Sequence, residues 1–285
     1  MQLVQGKVVL VTGAAKGMGF GCATKFANED ASVALVDIDS ENLLKVEKDL
    51  LAAGKKVKAF VTDISKSESV SAMMDEVIKT FGALDVIANC AGIQTYGDAI
   101  ETTDEVWDKT LDVNVKSMYL TAKFGVPHIR KRGGGAIINI SSVQSYVSQK
   151  QVVAYATSKG AINSLTRAMA VDFAQDKIRV NTVAPGSINT SMLRFAAETH
   201  SGGKSINEVF LDEKNMNCIQ SFIDKQNFPS LLFYGPSGTG KTSTIIAMAK
   251  EIYKEKYNLM VLELNASDNR NIQVVRKIIK EFASS

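Results

Sequence analysis

Two residues four apart, Tyr155 and Lys159, carry the sharpest chemical signal in the chain. A helix places them on one face, where a phenol beside an ammonium forms a proton-transfer pair, the cation being expected to lower the tyrosine pKa. Ser142, at the end of a short apolar run, adds a hydroxyl that can donate to an oxygen gaining negative charge. A second constellation lies upstream in Thr12-Gly13-Ala14-Ala15-Lys16-Gly17-Met18-Gly19, where a strand gives way to a helix. Glycines there let backbone N–H groups approach a pyrophosphate at the helix N-terminus. Asp37 ends the next apolar run, placed to accept hydrogen bonds from ribose hydroxyls and to repel a 2′-phosphate; this favours NAD over NADP, with Lys16 partly offsetting the repulsion. A third constellation, Gly235-Pro236-Ser237-Gly238-Thr239-Gly240-Lys241-Thr242, is a phosphate-binding loop between an apolar run and a helical segment. Its backbone would cradle ATP, with Gly235, Ser237, Gly238, Thr239 and Gly240 forming the loop, Lys241 reaching the terminal phosphates and Thr242 a ligand for magnesium once nucleotide is bound.

The elements that must position these groups are legible in the hydrophobic pattern. Six β-branched runs, Val8 to Val11, Ser32 to Val36, Val57 to Val61, Leu84 to Ala88, Ala136 to Ile140 and Ile178 to Val183, alternate with helix-period segments. Such alternation predicts an α/β fold, a doubly wound parallel Rossmann-type sheet, and near-continuous apolar runs suit strands covered on both faces. The pattern changes after Thr190, and the Ser201-Gly202-Gly203 seam divides a dinucleotide-binding oxidoreductase domain, 1–203, from an appended P-loop α/β segment, 204–285. In that segment the sequence predicts a helix at 215–226, a strand from Ser230 to Tyr234, a helix from Gly240 to Lys256, a strand from Leu259 to Leu264 and a helix from Ile272 to Phe282. The connection through 215–226 has the order of a right-handed crossover that would place Ser230 to Tyr234 beside the sixth strand of the sheet.

Residues 1 to about 200 resemble the short-chain dehydrogenase/reductase family in the glycine turn, Asp63, Asn89-Cys90-Ala91-Gly92, Asn114, Ser142, Tyr155-x-x-x-Lys159 and Pro185-Gly186. Cys90 departs from that pattern, which more often has a second asparagine there. The resemblance implies a catalytic tetrad of Asn114, Ser142, Tyr155 and Lys159, Asn114 lying in a helix used for a proton-relay water. It further implies a cofactor site built from Gly13, Lys16, Gly17, Met18, Gly19, Asp37, Asp63, Ile64, Asn89, Ala91, Gly92, Pro185, Gly186, Ile188 and Thr190, with Tyr155 and Lys159 completing it. Asp63 would hold the adenine amino group, Asn89 would line the adenosine channel, and Ile188 and Thr190 would meet the nicotinamide carboxamide. Residues from about 206 to 283 resemble the N-terminal part of a replication factor C small subunit, a clamp-loader ATPase, without its later acidic strand or sensor residue. Both resemblances are partial, so the expectation is a chimera or fusion: an NAD(H)-dependent alcohol or carbonyl oxidoreductase with its substrate loop replaced, joined to a segment that binds ATP without efficient hydrolysis.

Composition narrows the classes. Charge is nearly balanced, 33 basic against 30 acidic residues with two histidines, so direct nucleic-acid binding is not expected. Three cysteines without metal-ligand spacing suit free thiols in a reducing compartment, and the N-terminal apolar run is too short for a signal peptide or membrane span; a cytoplasmic location is expected. His128 and His200 have no neighbours in sequence that suggest catalysis. A small-molecule alcohol or carbonyl substrate is the expected partner, and an uncovered edge strand would allow homo-oligomers.

Overall fold

The structure is a computed structural model that describes residues 4–186, 188, 190–192, 194 and 195. Backbone contacts partition the chain into units 1–206 and 207–285, the second lying wholly outside the described residues. The predicted elements after residue 206, the phosphate loop at Gly235 to Thr242 and the docking of Ser230 to Tyr234 all fall there.

The chain alternates β1 (Val8–Thr12), α1 (Gly17–Asn28), β2 (Ser32–Asp37), α2 (Ser40–Ala52), β3 (Val57–Val61), α3 (Ser67–Phe81), β4 (Val86–Asn89), α4 (Asp104–Leu111), α5 (Ser117–Lys131), β5 (Gly135–Ile140), α6 (Val153–Asp172) and β6 (Ile178–Val183). The strands form one parallel sheet in the order β3-β2-β1-β4-β5-β6. Each apolar run found in the sequence is a strand, and β1 is buried along its whole length. Two apolar clusters account for this: Leu10, Val36, Ile87 and Ile137 pack beneath α3 and α5, and Val9, Val11, Val33 and Leu35 beneath α1 and α2. Such two-sided covering is what a parallel sheet requires.

The fourth strand begins at Val86, two residues later than the apolar run suggests. Leu84 is fully buried, but Asp85 turns its carboxylate back onto the sheet and accepts from Val8 N–H at 2.9 Å, so a side chain takes part of the ladder's place. In this strand order the connections reverse direction between β1 and β4, opening a crevice beyond their carboxyl ends where ligands of such sheets bind. The glycine turn after β1, Cys90 to Gly92 after β4 and Ser141 to Ser145 after β5 all meet at that end.

Candidate active site

The glycine turn is built by close approach. Gly13 adopts φ +70°, and a β-carbon there would lie 2.8 Å from Ala91 Cα, so only glycine lets the turn seat against the end of β4. Thr12 Oγ1 locks the two segments by accepting from Cys90 N–H and Ala91 N–H at 3.1 and 3.2 Å. Gly17 and Met18 open α1, Gly19 is buried against the turn, and Thr190 packs its methyl 3.5 Å from where a Gly17 β-carbon would stand.

Asp37 shapes the same turn. Its two carboxylate oxygens accept from Ala15 N–H and Asp39 N–H, both at 3.0 Å, so it holds the loop as well as presenting charge. Lys16 is exposed and paired to Asp39 at 3.3 Å. Asp63 accepts from the Ser65 hydroxyl at 2.6 Å and the Ser65 N–H at 3.0 Å; these bonds, the hydroxyl's foremost, hold its carboxyl below the usual range. The Ile64 side chain is buried in the core, leaving only its backbone to meet a ligand.

The reacting groups sit across the crevice. The buried stripe of α6, Ala154, Tyr155, Ser158, Lys159, Ile162, Asn163, Thr166 and Met169, has helical spacing and carries polar groups into the interior. Lys159 Nζ donates to Ile140 O at 3.0 Å and lies 5.4 Å from the Tyr155 ring centroid, over the ring rather than at the hydroxyl. Ser142 lies near enough to the Tyr155 hydroxyl to oppose the burial that raises its pKa, and Ser142 Oγ accepts from Gln144 N–H at 3.2 Å. Asn114 stands in a π-helical turn, Asp112–Lys116, inserted between α4 and α5. Its amide is fully committed: Oδ1 accepts from Ile93 N–H at 2.8 Å, and Nδ2 donates to Ile93 O and Ser158 Oγ, both at 2.9 Å. Any relay through Asn114 would therefore use its backbone. Gly92 lies where a β-carbon would be 3.2 Å from Asn114 Oδ1 and 3.6 Å from Lys159 Nζ, which ties the strand-end loop to the tetrad.

Two expectations are corrected. Lysine does not lower the tyrosine pKa here: burial pushes Tyr155 up, the Ser142 hydrogen bond opposing it, while burial brings Lys159 itself down to about 8. Asn89 does not turn its side chain into an adenosine channel; it is buried, donating to Asn139 Oδ1 and accepting from Thr121 Oγ1, both at 2.9 Å, and so braces β4 to β5 and α5.

Pro185 O accepts from Val143 N–H at 3.0 Å, fastening the loop after β6 to the loop that carries Ser142. Gly186 is exposed, and so are the apolar side chains of Ile188, Tyr146 and Val147. His128 lies in α5, and His200 is outside the described residues. Sequence reading missed Ser158, which donates to Tyr155 O at 2.6 Å, and Ser141, whose Oγ donates to Lys159 O at 2.8 Å. Their only signal was adjacency to the chemical residues. Among the described residues no cluster of histidine, cysteine or acidic side chains could hold a metal, and no helix is long and apolar enough to cross a membrane.

The short chain dehydrogenase profile matches residues 7–201, and a profile of the ATPase family associated with various cellular activities (AAA) matches 231–285. An uncharacterized oxidoreductase of Thermotoga maritima is 39% identical over 189 residues, 66% of this chain and 74% of its own. Dehydrogenase/reductase SDR family member 6 of Danio rerio is 38% identical over 197 residues, 68% of this chain and 76% of its own. Among solved structures, ligand-free aldohexose dehydrogenase of Thermoplasma acidophilum superposes with TM-score 0.64 at 33% identity, covering 72% of this chain and 76% of that one. The NADH complex of 3-ketoacyl-(acyl-carrier-protein) reductase from Brucella melitensis does so with TM-score 0.63 at 30% identity, covering 66% and 78%. The chain belongs to the short-chain dehydrogenase family of oxidoreductases.

Proposed function

We propose that the 1–203 domain binds NAD(H) in preference to NADP(H) and interconverts a small alcohol and its carbonyl. The observation that carries this is the juxtaposition, at one end of one sheet, of a glycine cradle closed by Asp37 and of Ser142 and Tyr155 beside buried Lys159. The cradle fits a dinucleotide: its backbone approach at Gly13 leaves no room for a side chain, and the helix N-terminus behind it favours phosphate. When bound, the nicotinamide supplies or accepts the hydride.

The remaining work falls to the protein. The Tyr155 hydroxyl gives its proton to the carbonyl oxygen during reduction and takes it back during oxidation. Ser142 Oγ, fixed beside it, donates to the same oxygen as charge develops. Lys159 has its Nζ held by Ile140 O; turning toward ribose hydroxyls would give the buried cation a second partner and bring its charge nearer the phenol. Asp37 and Asp63 face the adenosine half. Pro185, Gly186, Ile188 and Thr190 would close over the nicotinamide, and exposed Tyr146, Val147 and Ile188 offer the substrate an apolar wall. Fluorescence titration tests the reading: NADH should bind more tightly than NADPH, and equal or reversed affinities would overturn the preference.

The AAA match favours a second activity in 204–285. We read Gly235 to Thr242 as an ATP and magnesium site in a segment resembling the clamp-loader ATPases, joined by fusion or construction to the dehydrogenase. ATP should bind at this loop with Lys241 reaching the terminal phosphates. An ATP affinity that Lys241→Ala leaves unchanged would refute this.

A further inference from the structure

The stripe of α6 that carries Tyr155 and Lys159 continues to a residue with no part in the proposed reaction. Asn163 follows Lys159 by four residues, as Lys159 follows Tyr155, so the three lie along one face of the helix, and all three are buried. Asn163 Nδ2 donates to Ser145 Oγ at 2.9 Å, and Ser145 Oγ donates in turn to the Ser142 carbonyl oxygen at 2.6 Å. The same carbonyl accepts from Ser145 N–H at 3.0 Å.

These bonds close a short turn. Ser142 leads into a single 3₁₀ turn, Val143–Ser145, after which the chain is exposed from Tyr146 to Gln151. So short a turn has little hydrogen bonding of its own, and its shape depends on what it is fastened to. Once closed, it aims Gln144 N–H at Ser142 Oγ, 3.2 Å away. A serine oxygen that accepts from a fixed N–H keeps its own proton for another acceptor, which is the orientation that a donor to a developing oxyanion needs. The device repeats beneath the other reacting hydroxyl: Asn114 Nδ2 donates to Ser158 Oγ at 2.9 Å, and Ser158 Oγ donates to Tyr155 O at 2.6 Å. Twice, a buried amide acts through a serine hydroxyl on the backbone of a reacting residue, and hydrogen bonds in such a chain polarise one another.

We propose that Asn163 and Ser145 are positioning residues for Ser142, referencing its hydroxyl to α6 so that one helix aligns Ser142, Tyr155 and Lys159. The effect on rate rests on the oxidoreductase reading above, whereas the alignment itself does not. Without the Asn163–Ser145 link, the turn after β5 would be free to open, and Ser142 Oγ would lose the N–H that sets its direction.

The test uses the full chain and reads NADH-dependent reduction of 2,3-butanedione. Ser145→Ala removes a half-buried hydroxyl, and Asn163→Leu removes the amide at similar volume. Each should lower kcat by about tenfold, with the Kd for NADH and the KM for the dione within about twofold of the parent. Ser145→Thr keeps the hydroxyl and should bring kcat back to within about threefold of the parent. With Ser142→Ala already in place, Ser145→Ala should lower kcat no further, because its effect passes through that hydroxyl. Unchanged kcat in either single variant, an equal loss in Ser145→Thr, or a full further loss in the Ser142→Ala background would overturn the proposal. Crystal structures supply a readout independent of the reaction. In both Ser145→Ala and Asn163→Leu, Ser142 Oγ should move relative to the Tyr155 hydroxyl by on the order of 1 Å. An unmoved Ser142 would overturn the proposal even where kcat falls. If the parent binds no NADH, the cofactor reading fails, while the crystal structures still decide whether Asn163 and Ser145 place Ser142.

Discussion

The two ends of the sheet each bury a charge and treat it differently. At the amino end, Asp85, with its side chain 3% exposed, accepts from Val8 N–H at 2.9 Å and Arg132 Nε at 3.1 Å and pairs with Lys7 at 3.4 Å. Burial raises its pKa, but these partners outweigh it and hold the carboxyl low. At the carboxyl end, buried Lys159 has a carbonyl for a partner, and burial wins, bringing it down to about 8. A charge satisfied on all sides contributes to stability. A charge left wanting a partner costs stability and is available to a ligand, which is why perturbed groups gather at working sites.

The largest effect that sharpens this contrast is on rate. Tyr155→Phe keeps the buried ring and removes the proton donor, so turnover with any alcohol or carbonyl that supports NADH exchange should fall by about 10² or more. Its unfolding free energy from urea titration should stay within about 1 kcal/mol of the parent; undiminished turnover would remove Tyr155 from the mechanism.

Lys159→Met probes the unsatisfied cation through pH. The folded pKa of Lys159 lies below the ordinary lysine value of 10.5. Between about 8 and 10.5 the unfolded chain thus binds more protons than the folded one, and stability rises with pH across that window. The parent should gain on the order of 3 kcal/mol over the variant as pH climbs through it, read from urea unfolding. A constant difference would mean that the buried cation carries no such cost.

Asp85→Ala breaks the opposite end. The variant leaves the Val8 N–H without its partner and should cost about 2 kcal/mol, less than a fully buried pair because Lys7 and Arg132 are half-exposed. NADH affinity should not change. Since the folded carboxyl titrates below its unfolded value, the parent's advantage should hold above the usual carboxylate range and vanish as pH falls through the folded pKa.

The contrast also explains what could be read from sequence. The inner strands announced themselves as runs apolar on both faces, the edge strands β3 and β6 by β-branched residues around exposed positions such as Lys58, Arg179 and Asn181, and the glycine turn and the Tyr155–Lys159 spacing are local patterns. What stayed hidden depends on groups distant in sequence. Asp85 reads as an ordinary acid in an apolar run until Arg132, 47 residues on, reaches it. Asn89 reads as a site residue until Asn139 and Thr121 claim its amide. The direction of the Tyr155 shift was missed because spacing gives proximity along a helix, not depth of burial or where an ammonium points.

The smallest expected effect lies in an exposed pair at the carboxyl end, which separates position from burial. Lys16 Nζ meets Asp39 Oδ2 at 3.3 Å, with the lysine side chain 63% exposed. Solvent screening makes such a pair worth well under 1 kcal/mol, so Lys16→Met should move stability by less than about 0.5 kcal/mol. Asp39 has a further duty, since its Oδ1 accepts from Asn42 N–H at 3.2 Å as the cap of α2; it is the partner to leave intact. Lys16 nonetheless sits in the glycine turn within reach of the ribose end of the cradle, where its positive charge partly offsets the repulsion of a 2′-phosphate by Asp37. Lys16→Met should therefore lower NADPH affinity more than NADH affinity, widening the preference severalfold at low salt and less at high salt, as screening dictates. Parallel NADH and NADPH titrations at two ionic strengths measure this. An unchanged ratio at both would show that the charge at this end of the sheet is surface decoration, and that function there depends on the buried groups alone.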